Sequence, residues 1–570
     1  MTEVPPTSDE PLVATEGPTG EVAGRRGSYL VAAGILLSRV AGLIREIAIA
    51  AALGVGGVAD VFKAVLRIPN LLQNLLGEGV LSASFIPVYS RLLEKDEREA
   101  NQLAGKILGL LLAVMAAIVA IGILFADVIV KIVTPGFEGE RLELATTLLR
   151  IMFPGIAFLV LSALCTGVLN SHRQFFLSYV SPVMWNATQI AFVVAAGLAG
   201  ATDVGIAHAL AWGVLVGAIL EVAIQIPAVR RLTRGAELSL DRRSPDVQDV
   251  LKRFAPVVLG RGVVQLIVYV DLLLASLLAI GGVSALAYGQ VLYLLPISLF
   301  GMAVAAAELP ELSRLGRSGH AAIKERLHVG AERITFYVAL TAAVYIFAGD
   351  IVVGALLQRG EFTAADTRLV WFVVGTFALG LLGTTQSRLL QNGLYALDRP
   401  KLVARIAVAR VALASILGAA LMFPLDRFAI VGSHIEQIGD LAFRPLPDSL
   451  RNLSDGPPRL GIVGLAVGAA VSSWVEYRLL RGAIEWRIGR LPRMGHGARW
   501  SLIAAGAAGV LAAGIRSVTD DLPRWLAAVV VGLPVIATYL TITATMAVPE
   551  AKALLDRVRH RLPLRTAEHG

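Results

Sequence analysis

Apolar windows of roughly 20 residues, the length a helix needs to cross a bilayer at 1.5 Å per residue, recur along the whole chain. They fall near residues 29–53, 58–92, 103–133, 144–170, 175–200, 203–228, 252–280, 283–312, 332–357, 365–396, 401–424, 461–487, 499–516 and 524–547. Short segments alternating at period two, which a membrane β-barrel requires, do not occur. The pattern predicts an all-α polytopic membrane protein with about 14 transmembrane helices. Composition agrees: 56% of the residues are hydrophobic and 16% charged, outside the range of soluble globular domains.

The polar intervals orient the chain. Lys and Arg gather in alternate connections. They occupy Arg25–Arg26, Arg91 to Lys106, Arg230 to Arg253, Arg314 to Arg333, Arg399 to Arg405, Arg478 to Arg499 and a basic tail over 548–570. The opposite connections, such as Gly54–Asp60, Gly136–Glu143 and Thr519–Asp521, are Gly-rich or acidic. Both termini are therefore expected in the cytoplasm, in a multi-pass protein of the bacterial cytoplasmic (inner) membrane. The net charge of +8 is this bias summed. The basic residues sit in separate juxtamembrane loops without interleaved aromatics, which suits anionic lipid and argues against nucleic acid. Residues 1–24 are acidic and Pro/Gly-rich and read as a disordered cytoplasmic tail. Cys165 is alone, which excludes disulfides within the chain and Cys-based metal sites. A Pro-containing segment over 426–459 reads as an extracytoplasmic insert.

The chain carries signs of an internal duplication. Gly56-Gly57-Val58 after the first span recurs as Gly281-Gly282-Val283 after the seventh. The same offset sets Glu46 opposite Asp271, and the following spans share prolines (Pro69 and Pro87; Pro296 and Pro310) and a closing Ser-Arg (Ser90-Arg91; Ser313-Arg314). The expected organisation is two pseudo-symmetric six-helix lobes over 29–228 and 252–487, plus two extra helices over 499–547.

Charge inside the spans carries the functional signal. An ionisable group at bilayer depth costs at least ~2.5–3.5 kcal/mol, so it normally faces a protein interior or a watery cavity. The first span holds Arg39, Arg45 and Glu46; the second holds Lys63, Arg67, Asn70, Asn74 and Glu78. At 100° per residue the five polar residues of the second span fall within one narrow arc. They form either a cavity wall, or a snorkelling end with amides that bond between helices. Arg39 and Glu46 share a face and can pair; Arg45 has no acidic partner one turn away, and its planar guanidinium suits phosphate. In the seventh span Arg261 and Gln265 share a face, with Arg261 either a cavity residue or an interfacial anchor, and Asp271 lies further along. Enzyme readings find no support: no phosphate-binding loop follows a strand, no His/Glu metal motif occurs, and no acid–base pair lies in the apolar core.

These residues carry a resemblance. Ser38-Arg39-Val40-Ala41-Gly42-Leu43-Ile44-Arg45-Glu46, Ala59-Asp60-Val61-Phe62, Arg67-Ile68-Pro69-Asn70-Leu71-Leu72, Gly77-Glu78-Gly79 and Phe85-Ile86-Pro87-Val88 resemble the MurJ (MviN) family of lipid II flippases. So do Leu169-Asn170 to Phe175 with Pro182 and Asn186, the run Gln358 to Thr363, and Tyr395-Ala396-Leu397. The resemblance implies a multidrug/oligosaccharidyl-lipid/polysaccharide exporter fold, with two lobes around a cationic cavity and a lipid-facing groove at the two extra helices. It implies a non-enzymatic transporter that moves lipid II, the undecaprenyl-pyrophosphate-linked peptidoglycan precursor, to the outer leaflet. Arg39, Arg45, Lys63, Arg67, Asn70, Asn74 and Arg261 are then the substrate-binding candidates, and Glu46, Asp60, Glu78 and Asp271 the gating or charge-balancing ones.

No metal or resident cofactor is expected, a coupling monovalent cation being the one candidate. Lipid II or a related polyprenyl-pyrophosphate glycan and membrane lipids are the expected partners, with cell-wall synthesis machinery as a candidate. The chain departs from the family at Gln73-Asn74 and Gln290-Val291, where family charges are absent. That keeps another lipid-linked oligosaccharide open as substrate; a cation-coupled drug antiporter would instead want an acidic, aromatic cavity.

Overall fold

A computed structural model describes residues 18–301, 320–432, 434–453, 456–519 and 521–561. The first span is α1 (Pro18–Leu53), and it reaches into the expected tail. Residues 18–24 are helical, with Pro18 at the first position, where its fixed φ and missing N–H cost nothing. Residues 1–17 lie outside the described residues.

The second span is broken into α2 (Gly57–Leu76), α3 (Glu78–Ser84) and α4 (Ile86–Leu93). Helix α2 stops where Gly77 leaves helical geometry (φ −92°, ψ −136°), and Pro87 opens α4. Glu78 therefore belongs to α3 and cannot extend the polar stripe of α2. The third span is likewise split, into α5 (Glu97–Leu124) and α6 (Ala126–Val133). Then follow α7 (Gly139–Ser171), α8 (Phe175–Leu198), α9 (Asp203–Leu232), α10 (Pro245–Ser276) and α11 (Gly282–Pro296), which runs into a π-turn at Ile297–Gly301. The expected repeat elements Pro310 and Ser313-Arg314 lie outside the described residues.

The second half continues with α12 (His320–Leu357), α13 (Ala364–Ala396) and α14 (Pro400–Leu425). Thr363 and Asp366 start α13 with reciprocal caps: the Thr363 hydroxyl accepts from the Asp366 N–H at 3.2 Å, and the Asp366 carboxylate from the Thr363 N–H at 2.8 Å. The insert folds as an antiparallel hairpin of β1 (Phe428–Val431) and β2 (His434–Gln437), pairing Phe428 with Gln437 and Val431 with His434. One short helix follows, α15 (Asp448–Arg451), and then α16 (Gly461–Ile488), α17 (His496–Arg516), α18 (Arg524–Thr545) and α19 (Pro549–Arg561).

Twelve of these units, with α2–α4 taken as one, are long and apolar enough to cross a membrane. Helices α1 and α10, of 36 and 32 residues, have the length as well. Helices α1, α2, α5, α7, α8 and α9 pack together, as do α11, α12, α13, α14 and α16. Helix α10 runs along the seam, against α2 and α3 on one side and α11 on the other. Helices α17 and α18 build a separate apolar core on α12, where Ala504, Ala505, Ala508 and Ala512 let α17 approach Phe336 and Ala339. The offset read from the sequence recurs in space: α2 and α11 begin at Gly57 and Gly282, and the two starts meet at the seam.

Candidate functional site

The membrane-embedded charges cluster where the two halves meet. Glu46, buried on α1, accepts from Arg45 Nη2 at 2.6 Å and from Lys63 of α2. Lys63 is 4% exposed and its ammonium lies 4.6 Å from the centre of the Tyr288 ring on α11. It neither snorkels nor lines a wet wall, because the carboxylate and the ring hold it inside. The Arg39–Glu46 pairing, although geometrically open, is not the one formed. Arg45 finds its acidic partner in the adjacent Glu46 rather than across the bundle, and stacks 5.0 Å from the Trp185 ring of α8. Its Nε stays buried without a hydrogen bond. Arg39 is exposed into a cavity of about 300 Å³ with Ser38, Ser82, Thr166, Asn170, Ser178 and Tyr179 on its walls.

Further along α2, Arg67 Nη2 donates to Gln290 Oε1 of α11 at 2.7 Å, while the Tyr269 hydroxyl of α10 donates to the Arg67 carbonyl. Asp271 of α10 lies within electrostatic reach of Arg67 and of Arg410 of α14. Gln290, noted in the sequence only as a lost family charge, is thus the hydrogen-bond acceptor that holds Arg67 across the seam. Asn70 is half-buried and Asn74 exposed, so the stripe grades from dry at Lys63 to open at Asn74. The side chains of Glu78 and Arg261 lie outside the described residues.

Asp60, fully buried near the start of α2, reaches across the seam. Its Oδ1 accepts from the Ser284 N–H and hydroxyl, both at 2.7 Å, and its Oδ2 from the Gly281 N–H at 2.8 Å. It therefore caps α11 from the other half of the molecule, where the helix's own N-terminal N–H groups lack partners. Arg141 of α7 adds a contact at 3.4 Å. The sequence placed Asp60 among the gating or charge-balancing residues; two of its hydrogen-bond donors are backbone N–H groups.

The insert crosses the same seam. Arg451 pairs with Glu138 before α7 at 3.3 Å, its carbonyl accepts from the Ile280 N–H at 3.1 Å, and Arg141 reaches Asn452 at 3.4 Å. Burial pushes the Asp426 carboxyl up to about 6, against the lowering pull of the Ala279 N–H and of Arg459, Arg427 and Arg451.

A second backbone contact closes this end. Gly54 and Gly360 both adopt left-handed backbone, and the Glu361 N–H donates to the Ala51 carbonyl at 2.9 Å. A methyl group on Gly360 would lie 2.1 Å from that carbonyl oxygen. Gly360→Ala is expected to cost about 2 kcal/mol or more from the positive φ and the clash, read as a lower thermal midpoint in detergent.

The geometry of charge pairs on discontinuous spans and a capped seam fits a transporter, and comparison with known proteins agrees. The family described as "Lipid II flippase MurJ" matches residues 49–435. The chain belongs to the MurJ family. The "Probable lipid II flippase MurJ" of Rhizobium tropici is 34% identical over 68% of this chain and 73% of that protein. The "Lipid II flippase MurJ" of Burkholderia cenocepacia is 32% identical over 65% and 73%. Among solved structures, "Lipid II flippase MurJ, inward closed conformation" superposes with a TM-score of 0.68 at 20% identity, over 92% of this chain and all of that one. An inward-facing multidrug resistance MATE family transporter of the MOP superfamily gives 0.61 at 15% identity, over 79% and 94%. The fold is therefore that of MurJ and MATE transporters.

Sequence reasoning missed a second polar cluster. Arg388 of α13, Arg410 of α14 and Glu476 of α16 come together with Gln391, Tyr293 and Thr384. The three charges lie on three different helices, and helical periodicity says nothing about which residues of different helices meet.

Proposed function

We propose that this protein flips lipid II from the inner to the outer leaflet of the bacterial cytoplasmic membrane by alternating access, with both termini on the cytoplasmic side. The observation that carries the reading is the unbalanced cation at the seam. Arg45 and Lys63 share one carboxylate, Glu46, and Arg45 Nε has no protein partner. A guanidinium held this way in a membrane interior is prepared for an anion from outside the chain, and a pyrophosphate offers oxygens in the matching geometry. The headgroup would engage Arg39, Arg45 and Arg67, while the polyprenyl tail stays in lipid along α17 and α18.

Movement then requires the capped seam at Asp60 to open. Pro69 inside α2, and Pro296 where α11 passes into the π-turn, are the flexible points on either side. A substrate can drive this only by binding the opened state better than the closed one. In this reading the carboxylates balance charge within the chain: Glu46 serves Arg45 and Lys63, and Asp271 lies within electrostatic reach of Arg67 and Arg410. The protein acts as a transporter without catalytic chemistry.

Depletion tests the proposal. Lipid II is expected to accumulate in the inner leaflet while wall synthesis stops. Normal wall synthesis, with loss of some other surface glycan, would refute lipid II as the substrate.

A further inference from the structure

We propose that Arg388 and Arg410 form a second oxyanion-binding centre, which takes an oxyanion of the substrate headgroup at a point distinct from Arg45 and Arg67. The inference rests on the flippase reading above and adds a contact to it. Arg410 Nη1 pairs with Glu476 Oε2 at 3.2 Å without a hydrogen bond to that oxygen, and Gln391 Nε2 donates to Glu476 Oε1 at 3.0 Å. Glu476 is 1% exposed, whereas the Arg410 side chain is 30% exposed. Arg388, one turn before Gln391 on α13, makes no ion pair or hydrogen bond among the described residues, and its Nε is buried without a partner. Its charged neighbours are Arg410, which repels it, and Glu476, which it shares with Arg410.

Two guanidiniums thus share one carboxylate, on helices that span the membrane. Asp271 does not remove the surplus, because it also serves Arg67. An uncompensated arginine at this depth is costly, and two adjacent guanidiniums repel. A bridging oxyanion relieves both at once, since each guanidinium presents parallel N–H donors to two oxygens. Phosphate oxygens and the carboxylates of a peptide stem share this chemistry.

The test uses the full-length protein reconstituted in liposomes, with Arg388→Gln and the double variant Arg410→Gln/Glu476→Gln, which removes one charge of each sign. Binding is measured for lipid II, for undecaprenyl pyrophosphate, and for lipid II with amidated peptide carboxylates. Arg388→Gln is expected to weaken lipid II binding roughly tenfold or more while raising the thermal midpoint of the empty protein, because it relieves a repulsion. A purely structural arginine would lower that midpoint. A defect that persists with undecaprenyl pyrophosphate assigns the centre to phosphate; one that vanishes on amidation assigns it to the peptide. Both support the proposal. Wild-type binding of all three lipids by both variants would overturn it. A wild-type protein that binds none of them would refute the flippase reading itself.

Discussion

Asp60→Ala is expected to abolish flipping and to shift the capped end of the seam toward the open state by about a hundredfold. Three hydrogen bonds converge on this carboxylate from Ser284 and Gly281, with Arg141 behind it. Bonds to a charged acceptor are worth ~1.5–3 kcal/mol each, but opening lets water replace part of that. A net loss of ~3 kcal/mol corresponds to about two decades in the closed-to-open ratio. The readout is labelling of a single cysteine at Val58, in a Cys165→Ser background, by a thiol reagent that does not cross membranes. Ser284→Ala, which keeps both backbone donors, should shift labelling by less than tenfold. Unchanged labelling and normal growth in Asp60→Ala cells would mean that the cap does not gate the seam.

The second large effect concerns Glu46. Glu46→Ala leaves Arg45 and Lys63 buried side by side without their carboxylate. Breaking a buried pair in this way typically costs ~3–5 kcal/mol, because the remaining charge is uncompensated. The variant should express poorly and melt early in detergent. Arg45→Ala leaves the Glu46–Lys63 pair neutral, so its melting should stay within ~1 kcal/mol of wild type while complementation is lost. If the two variants behave alike, in stability and in growth, the triad is structural and the surplus cation has no transport role.

Much of this was legible in one dimension. A run of twenty apolar residues becomes a membrane helix whatever surrounds it, because its backbone must satisfy its own hydrogen bonds in lipid. The helical spans, twelve of them long and apolar enough among the described residues, therefore followed from the pattern, and so did the paired helix starts at Gly57 and Gly282. The run Gln358 to Thr363 was visible as a motif, but its reason is spatial: Gly360 is the residue that fits against the Ala51 carbonyl. The break at Gly77 was misjudged because glycines are common within membrane helices, and only packing decides which of them ends one.

Partnership was decided by tertiary structure alone. Helical periodicity fixes which residues of one helix share a face, and on that ground left an Arg39–Glu46 pair open that the structure does not form. It says nothing about which helix lies opposite. Glu46 bonds Lys63, seventeen positions on; Asp60 bonds Ser284, 224 positions on; Arg67 bonds Gln290, 223 positions on. In a low-dielectric interior a charge is stable only beside its complement, so each carboxylate settles with whichever donors the assembled helices bring within reach. The sequence determined that this protein carries charges into the membrane; the assembled helices decided which of them meet a partner within the chain, and left Arg45 Nε and Arg388 Nε buried without a hydrogen bond.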